Sequence, residues 1–339
     1  MKRGDSQVVT VLHSLAPPSG ETRYVVQLVE GAPEDLHLEF FTWRNALVGR
    51  FDVFHIHWPE YLIRDRKPLK AFARKIAMLA LLARLQITRR PLVRTLHNVH
   101  PHERGGRLES WLLRLIDQRT DIFIRLNPVT EAPLGSVSVE TILHGHYRDK
   151  YGDKSVPSTV PGRLLYFGLI RPYKGVERLL EVFESDTDLS SLRVVGSPSS
   201  LEFRELVSNA SERDNRISSI MRFVEDEVLA AEIGEAELVV LPYTAIHNSG
   251  SVLLALSLDR PVLVPAAEST IALQDEVGSD WLLTYEGELT SRTITSALEA
   301  VRSHSDRGRP ALAGRDWDVV GESHLRVYRD AISRKRGRN

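Results

Sequence analysis

Short apolar runs, rich in β-branched residues and broken by polar turns, recur along the first half of the chain at 8–12, 24–28, 38–41, 53–57, 92–97, 122–126 and 139–143. Each run is of strand length. Between them, 68–85 and 108–118 carry apolar residues at helical spacing. Strands separated by helices predict parallel βαβ units. The segment 151–162 breaks this pattern with Pro, Gly and Ser and no apolar period, so it reads as an interdomain linker. The same grammar then restarts, with strands predicted at 163–168, 192–195, 217–221, 238–241 and 261–264. Helices are predicted to begin at 176–183, to cover 202–210, 252–258 and 290–303, and to end the chain at 317–332. The expectation is an α/β protein of two successive units, 1–155 and 156–315, with a terminal helical segment, 316–339, packing back towards the first unit.

Composition narrows the chemistry. The chain has no cysteine, which excludes disulfides, thiolate nucleophiles and thiolate metal sites. The apolar run beginning at Val8 is too short for a signal segment. The longest apolar stretch, near 76–85, is interrupted by Arg84 and falls short of the ~20 residues that span a bilayer. A near-neutral total charge conceals a division. Residues 1–155 hold 23 Lys and Arg against 17 Asp and Glu, whereas residues 156–339 hold 21 against 28, so the two halves present surfaces of opposite sign. Nine bases and one acid fall within 64–90, clustered at the two ends of an apolar middle. A basic amphipathic helix of this kind suits an anionic membrane surface.

The most informative segment runs from the predicted strand 163–168 through Gly168, Arg171, Lys174 and Gly175 into the predicted helix at Val176. Glycine allows close approach of a ligand to the backbone, and a helix N-terminus offers unpaired N–H groups to an anion. Two cations at that point would neutralise a diphosphate. A second strand–loop–helix segment follows, in which Tyr243, His247 and Asn248 precede Ser249, Gly250 and Ser251 at a predicted helix start, again an anion-ready terminus.

Gly168 through Lys174-Gly175 resembles the Gly…Arg-x-x-Lys-Gly segment of GT-B glycosyltransferases, especially those related to glycosyltransferase family 4. The resemblance implies two Rossmann-like domains whose parallel sheets face a central cleft. It implies that Arg171 and Lys174 bind the diphosphate of a UDP- or GDP-linked sugar donor, with Ser249, Gly250 and Ser251 beside them. Gly20, in the loop after the first strand, and Phe223, Tyr243, His247 and Asn248 are expected to meet the sugar or nucleoside. The family's paired glutamates are missing: their places fall near Ile246–His247 and on Leu254, so the donor ribose must be held otherwise. The chain is similar in this respect to bacterial exopolysaccharide and glycolipid transferases.

The first half is rich in histidine at strand ends. His55 and His57 lie on one face of the run at 53–57, and His97 and Asn98 close the run at 92–97. Thr95-Leu96-His97-Asn98 resembles a family segment whose histidine contacts donor sugar or acceptor. If the transfer inverts the sugar carbon, His97, Glu60 and Glu103 are candidates for the base it needs. If it retains, as in family 4, no dedicated base is needed and the leaving phosphate takes the proton. His55, His57 and Asn98 are assigned to the acceptor side. No metal-ligand spacing is present, so no metal or other cofactor is expected. The expected partners are a nucleotide sugar, a glycan or lipid-linked acceptor and an anionic membrane surface reached through 64–90, with no nucleic acid. This implies a cytoplasmic enzyme, peripheral on the inner face of the cell membrane. Two other readings remain open: an epimerase acting on the nucleotide sugar itself, and a non-catalytic binding protein of the same fold.

Overall fold

The computed structural model describes residues 8–18, 23–97, 106–133, 135–136, 138–151, 157–304 and 308–337. The chain forms two compact units, one from Met1–Gly145 with Gly314–Asn339 and the other from His146–Ala313.

The first unit runs β1 (Val9–His13), α1 (Arg23–Glu30), β2 (Leu36–Phe40), α2 (Trp43–Val48), β3 (Val53–Ile56), α3 (Pro59–Ile63), α4 (Pro68–Ile87), β4 (Leu92–Leu96), α5 (Arg107–Arg119), β5 (Ile122–Arg125) and β6 (Val139–Thr141). Its strands form one parallel sheet in the order β2-β1-β3-β4-β5-β6. Val53, Phe54, His55 and Ile56 of β3 are all buried, as expected for a central strand with helices on both faces.

The second unit runs α6 (Arg148–Tyr151), β7 (Arg163–Phe167), a 3-10 turn (Pro172–Lys174), α7 (Val176–Glu184), β8 (Ser191–Val195), α8 (Leu201–Arg213), β9 (Ile217–Ile220), α9 (Asp226–Glu235), β10 (Leu238–Val240), α10 (Gly250–Ser257), β11 (Val262–Pro265), α11 (Glu268–Val277), β12 (Leu282–Tyr285) and α12 (Ser291–Ser303). Its parallel sheet has the order β12-β11-β10-β7-β8-β9. The final helix, α13 (Trp317–Gly337), packs against α1, β1, β3 and β4 of the first unit. Ion pairs Lys335–Asp121 (2.8 Å) and Arg329–Asp35 (2.9 Å) hold it there. Its approach to α1 is close: a side chain at Gly321 would overlap the carbonyl oxygen of Gly31, so only glycine fits.

In each sheet the strand order reverses once, between β2 and β3 around β1 in the first unit and between β9 and β10 around β7 in the second. Open parallel sheets bind ligands outside the carboxyl ends of their strands at such points. His13 ends β1, and Gly168 follows β7, so the candidate residues stand where the topology opens a crevice.

Three expectations are corrected. The run at 24–28 is helix, not strand. Tyr24, Val25, Gln27 and Leu28 are buried while Glu30 is exposed, which is a helical stripe. The change between units falls at Gly145 and His146, ahead of the segment read as the linker. Tyr147 and Tyr151 already belong to the second core. The Tyr147 amide donates to Ser257 Oγ (2.9 Å), and the Tyr151 hydroxyl donates to Asp226 Oδ1 (3.1 Å). Finally, α2, α3, α6, α11 and β12 carry no strong pattern of their own and are absent from the elements expected from the sequence.

Candidate active site

In the second unit, β7 delivers the chain to Gly168, and the 3-10 turn Pro172–Lys174 lifts Arg171 and Lys174 above the strand ends. Gly175 closes the turn at φ +66°, a left-handed conformation that costs other residues energy. A side chain there would strike the carbonyl oxygen of Pro242, so glycine lets this loop lie directly against the loop that follows β10. The Thr244 amide donates to the Tyr173 carbonyl oxygen (2.9 Å) and ties the two loops together.

Lys174 Nζ stands 3.5 Å from the centroid of the Tyr243 ring, a cation–π contact. The Lys174 ammonium is lowered from 10.5 to about 8, chiefly by burial, with Tyr173 opposing the shift and the Arg171 charge adding to it. The pair therefore forms a concentrated positive site whose two members repel each other until an anion arrives. Arg171 is exposed. The Tyr243 hydroxyl is hydrogen-bonded with Ser251 and Ser249, and burial raises its pKa.

Ser249 caps α10, its Oγ accepting from the Val252 amide (3.3 Å). The serines expected to grip a diphosphate are thus engaged in holding Tyr243 and the helix start. What the segment presents to an anion is the helix N-terminus itself. A side chain at Gly168 would begin 3.3 Å from Ser251 Oγ, so the Gly168 loop and this terminus are neighbours.

His247 and Asn248 are partly exposed on the same loop, and burial lowers the His247 pKa. Phe223 is exposed at the end of the stretch after β9. Leu254 is buried in the core, so the position of the family's second glutamate reaches no ligand.

The first unit holds a cluster of imidazoles at the carboxyl ends of β1, β3 and β4. His13 Nδ1 meets His57 Nε2 at 3.0 Å, and His57 Nδ1 meets His97 Nε2 at 2.9 Å. His55 lies between Tyr328 (Nδ1 to hydroxyl, 2.7 Å) and Thr95 (Nε2 to Oγ1, 2.7 Å). The Tyr328 hydroxyl also meets His13 Nε2 at 3.3 Å. Trp58 stacks on His97 with ring centroids 4.1 Å apart.

Burial lowers His13 and His97 from 6.5 to about 3 and His144 and His324 to about 4, and holds His55 and His57 well below that ordinary value. All are neutral imidazoles near pH 7. His13, His55 and His57 also place ring nitrogens within 4.8 Å of one another, the reach of a metal site.

His55 and His57, assigned above to the acceptor side, are buried with both ring nitrogens engaged. His57 adjoins His97, which is partly exposed. Glu60 is buried at the start of α3, where its charge acts on Arg94. Gly20, Asn98 and Glu103 lie outside the described residues. His13 and Tyr328 were not singled out from the sequence. His13 had a signal, a polar residue closing a strand as His57 and His97 do. Tyr328, on the last helix, had none.

Two parallel-sheet units with a glycine-and-cation loop at the switch point of the second define a glycosyltransferase of the GT-B class. The chain belongs to the family of the GDP-mannose:glycolipid 4-β-D-mannosyltransferase of Xanthomonas campestris pv. campestris, with which it is 47% identical over 96% of its length and 93% of the relative's. It is a glycosyltransferase. No protein-family model matches the chain. The fold is shared with Anabaena HepE in complex with UDP and glucose (TM-score 0.64, 14% identity, 95% of this chain and 100% of that one). It is also shared with the UDP-forming α,α-trehalose-phosphate synthase of Burkholderia vietnamiensis (TM-score 0.60, 11% identity, 97% and 100%).

Proposed function

We propose that the chain transfers a mannosyl group from GDP-mannose to a hydroxyl of a glycolipid at the membrane surface, without a metal ion. The observation that carries this reading is the identity with the Xanthomonas mannosyltransferase over nearly the whole of both chains. The second unit supports it chemically. Departure of a nucleoside diphosphate leaves negative charge that must be stabilised, and Arg171, Lys174 and the N-terminus of α10 form a preorganised positive site. GDP-mannose is an α-linked donor, so a β-linked product inverts the anomeric carbon. Inversion needs a base to take the proton of the acceptor hydroxyl. Glu60 and Glu103 are the carboxylate candidates.

The membrane side of the proposal rests on α4. Its inner face buries Met78, Leu81, Leu82 and Leu85. A second apolar face lies in the open, with Leu69 85% exposed, Phe72 56%, Ile76 53% and Ile87 80%, beside exposed Lys67, Lys70 and Arg89. A helix needs one apolar face to join a core. The second, rimmed by bases, suits the headgroup region of an anionic leaflet. Among the described residues no helix is long and apolar enough to cross a membrane. Association would therefore be peripheral, on the cytoplasmic face.

The test is incubation with radiolabelled GDP-mannose and a membrane glycolipid fraction. Label passing into the lipid phase as a β-mannoside is the expected result. Conversion of GDP-mannose to another nucleotide sugar without acceptor, or donor binding with no transfer to any lipid acceptor, would overturn the reading.

A further inference from the structure

We infer that the last helix, α13, is a working part of the site in the first unit: its Tyr328 and Trp317 are positioning residues that hold His97 through two separate lines of contact. The inference rests on the reading that His97 meets the substrate. The first line is polar. The Tyr328 hydroxyl lies 2.7 Å from His55 Nδ1 and 3.3 Å from His13 Nε2, so it ties the ends of β3 and β1 together. His13 Nδ1 meets His57 Nε2 at 3.0 Å, and His57 Nδ1 meets His97 Nε2 at 2.9 Å. Tyr328, His13, His55 and His57 are all buried, so removing the hydroxyl takes a partner from two rings where water has little access to replace it. This holds whichever way each proton points.

The second line is aromatic. Trp317 meets Tyr24 of α1 edge-on with ring centroids 5.6 Å apart, and Tyr24 meets His97 edge-on at 5.3 Å. Tyr24 also lies 6.1 Å from the His57 ring and 5.3 Å from the His144 ring, and His144 lies 6.0 Å from Trp317. Edge-on ring pairs favour one mutual orientation, so the tryptophan limits how Tyr24, and through it His97, can turn. Trp317 and Tyr328 stand about three helical turns apart on α13 and therefore share one face of it. From that face the two lines converge on one imidazole.

The helix is itself tightly seated. A side chain at Gly321 would overlap the carbonyl oxygen of Gly31, and one at Gly31 would overlap the backbone carbonyl of Trp317. A side chain at Gly145 would strike the Trp317 ring. With the ion pairs Lys335–Asp121 and Arg329–Asp35, these contacts leave α13 no room to rotate without moving both positioning rings. The seat of α13 and the placement of His97 are thus one constraint, whereas the cation loop of Arg171 and Lys174 belongs to the second unit. Loss of the α13 contacts should therefore reach turnover and spare nucleotide binding.

The test is a double-mutant cycle on the full chain with GDP-mannose and the glycolipid acceptor, assayed well below the melting temperature. Tyr328→Phe keeps the ring and removes only the hydroxyl. It should lower kcat roughly threefold to tenfold, the range of one hydrogen bond, and leave GDP affinity unchanged. In a His97→Ala background the same substitution should cost nothing further, because the hydroxyl acts through His97. A residue that merely fills the core would cost as much in either background. Equal losses in the two backgrounds, or no loss in the first, would overturn the inference. Trp317→Phe, which keeps an aromatic ring beside Tyr24, supplies the same cycle should Tyr328→Phe fail to fold.

NMR of protein labelled with ¹⁵N-histidine separates the positioning from the role of His97. The His97 ring signals, assigned by their loss in His97→Ala, should shift or broaden in Tyr328→Phe, while those of His304 on α12 stay where they are. Wild-type turnover by His97→Ala would remove His97 from the substrate and overturn the reading beneath the inference. The His97 signals then decide the positioning alone, and signals unchanged by Tyr328→Phe would overturn it.

Discussion

Lys174 Nζ rests 3.5 Å from the centre of the Tyr243 ring, joining the loop after β7 to the loop after β10 in the second unit. Tyr243 is in turn bound by Ser249 and Ser251 at the start of α10. The cation, the aromatic face and the helix terminus are thus one assembly, which makes nucleotide binding sensitive to each part.

Lys174→Ala and Arg171→Ala are expected to remain folded and to lose most transfer activity. Each removes a charge-assisted bond to phosphate, worth about 1.5–3 kcal/mol. Because the free Lys174 titrates near 8, GDP affinity should fall as pH rises through that value. An anion favours the ammonium, so binding at about pH 8–9 should take up protons. Titration calorimetry in buffers of different ionisation enthalpy would measure this uptake. Its persistence in Lys174→Ala would assign the proton to another group.

Gly175→Ala should weaken GDP binding together with stability. The left-handed backbone costs roughly 1–2 kcal/mol for a residue with a side chain, and the overlap with Pro242 forces the two loops apart. Chemical denaturation and GDP titration of the variant would test this. Unchanged affinity would mean that the loop contact is not needed for the site.

Acid should unfold the protein early. The six histidines at 13, 55, 57, 97, 144 and 324 have folded pKa values below the unfolded 6.5. Their burial therefore imposes no protonation penalty above pH 6.5. Stability is lost as pH falls below it, down to about 4 for His144 and His324 and about 3 for His13 and His97. Each such histidine contributes about 1.4 kcal/mol per pH unit. Against a total stability of about 5–15 kcal/mol, unfolding is expected within roughly two pH units below 6.5. Denaturation midpoints from pH 7.5 to 4.5 would show the slope, and a flat profile would contradict the buried neutral cluster.

Phe72→Asp with Ile76→Asp should leave the melting temperature within about 2 °C, since both side chains are exposed on α4. Binding to anionic vesicles should drop sharply, as should transfer to a lipid acceptor more than to a soluble glycan. Equal cosedimentation of variant and wild type would move the membrane contact elsewhere.

The sequence by itself determined the architecture, because the spacing of β-branched strand runs and amphipathic helices is a local property. The loop at Gly168 to Gly175 was legible for the same reason: strand end, glycines, cations and helix start are consecutive. The run at 24–28 was misread because β-branched residues suit strands and a short helical stripe alike, and only packing against the sheet and α13 decides between them.

The histidine chain could not be read this way. Its links join residues separated by 40 to 315 positions, and Tyr328 reaches it only because α13 returns to the first sheet. Sequence supplied the imidazoles. The tertiary structure decided that they would be brought together and held neutral, because low-dielectric surroundings penalise the charged imidazole.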